Sequence, residues 1–316
     1  MIGRYVTRHW ARKGYEVVAV ARSKEGWSGD GMFVPWNGRD IGAWALALEG
    51  ADVVLNLAGR SVNCRYDEKN RNDIMQSRIA STRVIGEAIA ACKVPPRLWM
   101  NMSTATIYRH AEDCPQDEWT GEPGDGFSVD VATQWEEEFF RSKTPAGTRK
   151  IALRTGIVLA NEPKSALDVL LRLVRLGLGG RMGRGNQKFS WIHMGDFLGA
   201  LDYLMANLLL DGVFNLTCPR TSDNSTLMRV LREKCAMPIG LPATEWMLEI
   251  GAFLLSTETE LIVKSRWVEP ARLNDEGFRW AFHDLDGAIS DLLERRGLEA
   301  FFRMPQRRAM GVRAWA

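Results

Sequence analysis

Short β-branched runs alternate with helical patterns through the first half of this chain, and that alternation constrains the fold more than any other feature. Residues 16–21 and 51–59 read as strands, the second closing in a glycine turn. Residues 71–92 read as one long helix with Ile74, Ile79, Val84, Ile85, Ala88 and Ile89 on its buried side, stopped by Pro95-Pro96. A strand at 98–103, a helix at 129–141 and a strand at 150–154 continuing to 157–159 follow. Strands separated by whole helices pair in parallel, with helices covering both faces. The expected fold class is α/β, a doubly wound parallel sheet. The chain begins with a short helix and a turn at Gly14 ahead of its first strand, which is the second half of a strand–helix–strand unit.

The second half changes character. A helix at 166–176 carries Arg172 and Arg175, a glycine-dense loop spans 177–187, and short strands at 191–193 and 213–217 flank a helix that starts near Asp196. Beyond about residue 220 the pattern is helical with brief extended pieces, expected to form a small C-terminal cap on the substrate side of the sheet. The boundaries drawn are 1–160 for the sheet domain, 161–300 for the substrate-side region and 301–316 for a basic tail. That tail has four Arg and no acid; it reads as solvated, with an anionic partner as the lesser alternative.

Bulk properties narrow the function classes. A net charge of +2 gives no argument for nucleic acid or membrane surfaces. The five cysteines, Cys64, Cys92, Cys114, Cys218 and Cys235, are scattered and form no CxxC pair, so neither a metal site nor a disulfide framework is expected. A reducing cytoplasmic setting fits them. No run approaches the roughly 18 apolar residues of a membrane span, since Glu249 interrupts the stretch 247–255, and basic residues break any apolar leader. A small-molecule substrate is the expected partner, and a homodimer is compatible with the sequence.

In open parallel sheets, ligands bind beyond the carboxyl ends of the strands. Four such ends carry chemistry. Ala21 is followed by Arg22, whose planar fork suits a phosphate, although a surface Arg touching nothing reads the same way. Asn56-Leu57-Ala58-Gly59 is a turn of small residues that lets a ligand approach backbone, or an ordinary strand end. Ser103-Thr104-Ala105-Thr106-Ile107-Tyr108 offers hydroxyls and a phenol that can orient a substrate oxygen; alternatively it is a self-capping turn with Tyr108 in the core. Arg154-Thr155-Gly156 again permits close approach, and Arg154 equally suits a carboxylate inside the fold.

Taken together these ends resemble the extended short-chain dehydrogenase/reductase superfamily, whose fold is Rossmann-like. The match is closer to its atypical subgroup, the epimerase family SDR39U1-like, which includes the YfcH proteins. Arg154-Thr-Gly-Ile-Val-Leu, Arg175-Leu-Gly-Leu-Gly-Gly, Ser190-Trp-Ile-His with Asp196, and Pro270-Ala-Arg-Leu with Gly277-Phe278 resemble that subgroup, the last piece in its DUF1731-like C-terminal domain. The resemblance runs from Ile2 to about Leu293. It implies NADP(H) as cofactor, with Gly3, Ala21, Arg22, Leu57, Ala58, Gly59, Arg78 and Val158 around it. Arg22 would meet the 2′-phosphate, and Val158 would sit near the nicotinamide. Arg78 is otherwise a helix-surface Arg paired with Asp73 or Glu68. Thr104 would orient the reacting oxygen, Tyr108 is the candidate proton donor, and Gln187 and His193 would face the substrate.

Two departures qualify what the resemblance implies. Superfamily catalysis uses a Tyr-x-x-x-Lys pair, and here those slots fall at Ser128 and Ala132. An ordinary phenol with a pKa near 10 is a poor base at neutral pH without such tuning. Met1-Ile2-Gly3 aligns with the end of the superfamily's first glycine turn, so a central strand would precede it. The in-frame DNA upstream is expected to encode roughly ten more residues forming that strand and turn. A stop codon immediately upstream would sink that expectation. Two function classes follow: an NADP(H)-dependent atypical reductase or nucleotide-sugar-epimerase-like enzyme on an unknown small molecule, or a non-catalytic NADP(H)-binding redox sensor or interaction protein.

Overall fold

A computed structural model describes residues 1–25, 27, 29–244 and 264–303, with side chains as far as Glu294 in the last helix. The apolar stretch 247–255 and the tail beyond residue 303 lie outside the described residues. In chain order come α1 (Ile2–Arg12), β1 (Val18–Ala21), β2 (Met32–Pro35), β3 (Val53–Asn56), α2 (Glu68–Ala91), β4 (Leu98–Thr104), α3 (Phe127–Arg141), β5 (Arg149–Thr155) and β6 (Ile157–Leu159). Then follow α4 (Ala166–Arg175), β7 (Lys188–Phe189), β8 (Trp191–His193), α5 (Met194–Ala206), β9 (Gly212–Leu216), β10 (Ser222–Asp223), α6 (Asn224–Lys234), α7 (Ala271–Asp275) and α8 (Leu285–Arg303).

The central sheet is four parallel strands in the order β3-β4-β5-β9. β4 and β5 are its buried middle: Leu98, Trp99, Met100, Ile151, Ala152 and Leu153 are each at most 1 % exposed. Such continuous apolar runs belong to strands covered on both faces. β1 pairs in parallel with β2 as a separate ribbon. Val20 of β1 and Val54 of β3 pack in one cluster with Trp44, Trp99 and Phe139. Among the described residues β1 pairs only with β2, and β3 only with β4.

The main core crosses the expected boundary at residue 160. Val6, Ile151 and Leu153 pack with Phe197, Phe214, Leu273 and Trp280 in one cluster. The C-terminal region is also threaded into the sheet domain rather than laid on it. Gln116 N–H donates to the Trp267 carbonyl at 2.8 Å, Glu269 N–H to the Gln116 carbonyl at 3.0 Å, and Arg266 N–H to the Lys188 carbonyl at 3.0 Å.

Besides the ion pairs Arg4–Glu162 and Arg8–Asp30, one carboxylate gathers the carboxyl end of α1. Asp202 on α5 accepts from Lys13 Nζ and His9 Nε2 at 2.6 Å each and from Trp10 Nε1 at 3.0 Å. Burial would raise the Asp202 pKa, but these donors hold it below the ordinary carboxylate value. A depressed folded pKa means stabilisation that is present above the unfolded value near ~3.9 and is lost as pH falls through the folded one. Asp202→Asn is expected to weaken the clamp by about 1.5–3 kcal/mol. Amide exchange in α1 at neutral pH then rises about 10- to 100-fold. Unchanged α1 exchange would show that apolar packing alone holds the helix.

Candidate functional site

The turn after β3 is set by a buried amide. Asn56 Oδ1 accepts from Ala58 N–H at 2.9 Å, while its Nδ2 donates to Asn101 Oδ1 at 2.7 Å and Thr82 Oγ1 at 3.3 Å. This fixes Leu57 and Ala58 at the strand's carboxyl end, half-buried. Gly3, near the start of α1, lies against Leu57: a Cβ on it would stand 3.8 Å from Leu57 Cδ1. The structure therefore brings Gly3, Leu57, Ala58 and Gly59 together.

Arg78 of α2 completes this corner. Its guanidinium lies beside Gly59, where a Cβ would approach Arg78 Cζ to 3.2 Å. Nη1 donates to the carbonyls of Ile74 at 3.0 Å and Arg60 at 3.2 Å, and the guanidinium carbon sits 5.1 Å from the Trp135 ring centre. Neither Asp73 nor Glu68 pairs with it; Asp73 is taken by Arg60. Among the described residues Arg78 has no carboxylate partner. Burial pushes its guanidinium below the ordinary value, but an Arg remains charged in a folded protein. A half-buried cation satisfied only by carbonyls and a ring suits an anion at its open side. Ala21 and Arg22 stand exposed at the end of β1, and Arg22 has no ion pair among the described residues.

At the end of β4 the hydroxyl segment caps itself. Thr104 Oγ1 lies 2.8 Å from Thr106 Oγ1 and accepts from Thr106 N–H at 3.2 Å, starting a single 3-10 turn. Thr104 stays half-buried at the strand's carboxyl end. Tyr108 differs from its expected role as proton donor. It is 1 % exposed, its hydroxyl donates to Asn215 Oδ1 at 3.0 Å, and the same oxygen accepts from Arg154 Nη1 at 2.9 Å. Burial pushes its phenol pKa up. A sealed phenol with its proton and a lone pair engaged is a core residue, and the catalytic role does not pass to it.

Arg154 has the interior carboxylate that the sequence left open. It grips Glu136 of α3 with Nε at 2.9 Å and Nη2 at 2.7 Å. Burial disfavours the guanidinium, yet its bonds to Glu136 hold its pKa above the ordinary value. Ser103 Oγ donates to the same carboxylate. The Lys slot, Ala132, is completely buried and packs with Ala105, Ile107, Tyr108 and Val268.

The remaining candidates are buried. Val158 is 8 % exposed in β6, in register with Ile192 of β8. Gln187 was expected to face substrate, but it staples its own loop: Oε1 accepts from Gly185 N–H at 2.8 Å and Nε2 donates to the Met182 carbonyl at 2.7 Å. His193 is also turned inward. Its Nδ1 accepts from Gly195 N–H at 2.9 Å to cap α5, its Nε2 is 3.2 Å from Asp291 Oδ2, and its ring lies 3.8 Å from Phe282. The close approach at Gly156 is made by backbone rather than by a ligand, since a Cβ there would meet the Ser190 carbonyl oxygen at 2.8 Å. Trp135 and Glu136 carry structure around the site that periodicity had assigned only to a helix interior.

The residues at the ends of β1 and β3 fit a dinucleotide. Arg78, without a carboxylate among the described residues, stands beside a turn of small and apolar residues that meets the start of α1 at Gly3, and Arg22 is exposed at the end of β1. Among the described residues there is no cluster of three or more metal-ligating side chains, and no helix is long and apolar enough to cross a membrane.

Comparison with known proteins agrees with this geometry. A family model described as the NAD dependent epimerase/dehydratase family matches residues 1–216, and one for a domain of unknown function, DUF1731, matches residues 243–292. The epimerase family protein SDR39U1 of Mus musculus is 28% identical over 299 residues, covering 92% of this chain and 96% of that protein. The epimerase family protein YfhF of Bacillus subtilis (strain 168) is 28% identical over 296 residues, covering 93% and 95%. The crystal structure of human epimerase family protein SDR39U1 (isoform2) with NADPH superposes with a TM-score of 0.78 at 26% identity, covering 93% of this chain and 96% of that one. The Bordetella bronchiseptica enzyme WbmG in complex with NAD and UDP has the same fold, at 14% identity and a TM-score of 0.75 over 95% of this chain and 92% of that one.

Proposed function

The chain belongs to the NAD dependent epimerase/dehydratase family, within its SDR39U1-like group, and on that premise we propose that it binds NADP(H) and acts as an atypical short-chain reductase or epimerase-like enzyme on a small hydroxyl or carbonyl compound. The observation that carries this reading is Arg78, a half-buried cation at the β3 turn whose contacts are carbonyls and a ring rather than a carboxylate. The similar human structure contains NADPH, and an exposed Arg at the end of β1 is the residue type that accommodates a 2′-phosphate.

Each residue has a role derived from its place. Arg22 holds the 2′-phosphate. Leu57 and Ala58 give the cofactor an apolar wall, and Gly59 keeps the approach to Arg78 open. Thr104 orients the reacting oxygen from the end of β4. Its hydroxyl has Thr106 as hydrogen-bond partner, so it is preset in direction before a substrate arrives. Val158, Gln187 and His193 shape the wall. When bound, the nicotinamide supplies the capacity to accept or give a hydride.

The redox-sensor reading has one observation in its favour, the apolar packing of Ala132 where a Lys would stand. Titration of the chain with NADPH and NADH, followed by nucleotide fluorescence, tests the main reading. Saturable binding, tighter for NADPH, is expected. No binding of either nucleotide would overturn the cofactor role, and binding without oxidation of NADPH across a broad carbonyl panel would favour the sensor.

A further inference from the structure

We propose that Thr82 is the positioning residue of the cofactor corner: its buried hydroxyl sets both the backbone of the β3 turn and the ring against which Arg78 lies. The proposal rests on the function proposed above and goes beyond it by assigning that corner's geometry to a side chain on α2 that a nucleotide does not reach.

Thr82 is 0 % exposed, and Asn101, Asn56 and Trp135 around it are 1, 2 and 4 % exposed. They come from four elements: Thr82 from α2, Asn101 from β4, Asn56 from β3 and Trp135 from α3. A hydroxyl has one proton to give and two lone pairs. Thr82 Oγ1 accepts from Trp135 Nε1 at 2.9 Å and from Asn56 Nδ2 at 3.3 Å, and it donates to Asn101 Oδ1 at 3.4 Å. All of its capacity is used. Asn56 Nδ2 gives its other hydrogen to Asn101 Oδ1 at 2.7 Å, which leaves Asn56 Oδ1 to the Ala58 N–H at 2.9 Å. Asn101 Nδ2 closes the network on the Met102 carbonyl at 2.9 Å.

These partners determine which way each amide points. Turned end for end, Asn56 would set its oxygen against the Asn101 oxygen and its NH2 against the Ala58 N–H. Asn101 is held the same way, because only its NH2 can meet the Met102 carbonyl. The hub thus presents an acceptor to the β3 turn and fixes where the backbone of Ala58 lies.

The second arm runs to Arg78. Arg78 and Thr82 are four residues apart on α2 and share one face of it. Trp135 spans them: its ring centre is 5.1 Å from the Arg78 guanidinium carbon, and its indole N–H is tethered to Thr82. The tether stops the ring from turning, so the surface under the guanidinium keeps its place. One hydroxyl ties together the turn and the cation that define the corner.

Thr82→Val keeps the side-chain shape and removes the hydroxyl, stranding the Trp135 N–H and one Asn56 hydrogen in apolar surroundings. Thr82→Ser restores the hydroxyl. Thr148→Val is the comparison for general loosening. Thr148 is 6 % exposed, its hydroxyl donates to the Pro96 carbonyl at 2.7 Å, and it precedes β5, at the opposite end of the sheet from the strands' carboxyl ends. In the full chain without nucleotide, exchange of the Ala58 amide is expected to rise about tenfold in Thr82→Val and to stay within about twofold of the parent in Thr82→Ser and Thr148→Val. NADPH binding read by nucleotide fluorescence should follow the same order, about tenfold weaker in Thr82→Val alone. Parent-like binding and exchange in Thr82→Val overturn the positioning role. Equal losses in Thr148→Val overturn it too, because general loosening then accounts for both. Should Thr82→Val not fold, Trp135→Phe removes the indole tether while keeping an aromatic ring, and NADPH affinity unchanged in that variant overturns the proposal. A parent that fails to bind NADPH overturns the function proposed above and not the hub, which the Ala58 exchange reads without nucleotide.

Discussion

Arg154→Met lowers the stability of the fold by about 3–5 kcal/mol, the cost of leaving a buried carboxylate without its cation. Glu136 is 6 % exposed and Arg154 is its only cationic partner among the described residues. The substitution also strips a donor from the Tyr108 oxygen and removes the cation stacked 5.0 Å from that ring. Urea unfolding followed by tryptophan fluorescence reads the loss. Adding Glu136→Gln to Arg154→Met should recover a substantial part, because the residual charge is then gone and only polar desolvation remains. A single variant within about 1 kcal/mol of the parent would mean that water reaches Glu136 and screens it.

The same network shows how far the sequence could be read. β3, β4 and β5 are legible because β-branched and apolar runs buried on both faces leave an unbroken signal. β2 is not, since Met32–Pro35 is a four-residue strand that follows a glycine and ends in a proline, and so short a run looks like loop. Arg154 announces a need for a carboxylate, but Glu136 lies on another element and no spacing rule joins them. Arg78 invited pairing with Asp73 on its own helix, and Asp73 went to Arg60 instead, on the loop that folds back over α2. The resemblance set Gln187 and His193 toward the substrate, and in the sequence a polar side chain at an element boundary looks the same whether it caps the boundary or meets a substrate.

The two cofactor arginines should separate in what they discriminate. Arg22→Glu is expected to weaken NADPH by about 10- to 100-fold, equivalent to ~1.5–3 kcal/mol for charge-assisted hydrogen bonds lost from a phosphate. NADH, which lacks the 2′-phosphate, should change by less than about threefold. Arg78→Met is expected to weaken both nucleotides alike, by about tenfold, because the β3 turn meets a part they share. Salt provides an independent check on the two placements. Arg22 is exposed, so its contribution to NADPH binding should shrink as ionic strength rises past the point where the Debye length falls below about 8 Å. Arg78 lies half-buried under Gly59 and beside Trp135, where added ions screen it less, so its contribution should persist. Equal losses of NADPH and NADH in Arg22→Glu would remove the 2′-phosphate from the end of β1. With it would go the reason for preferring NADP(H) to NAD, while Arg78 and the nicotinamide reading would stand.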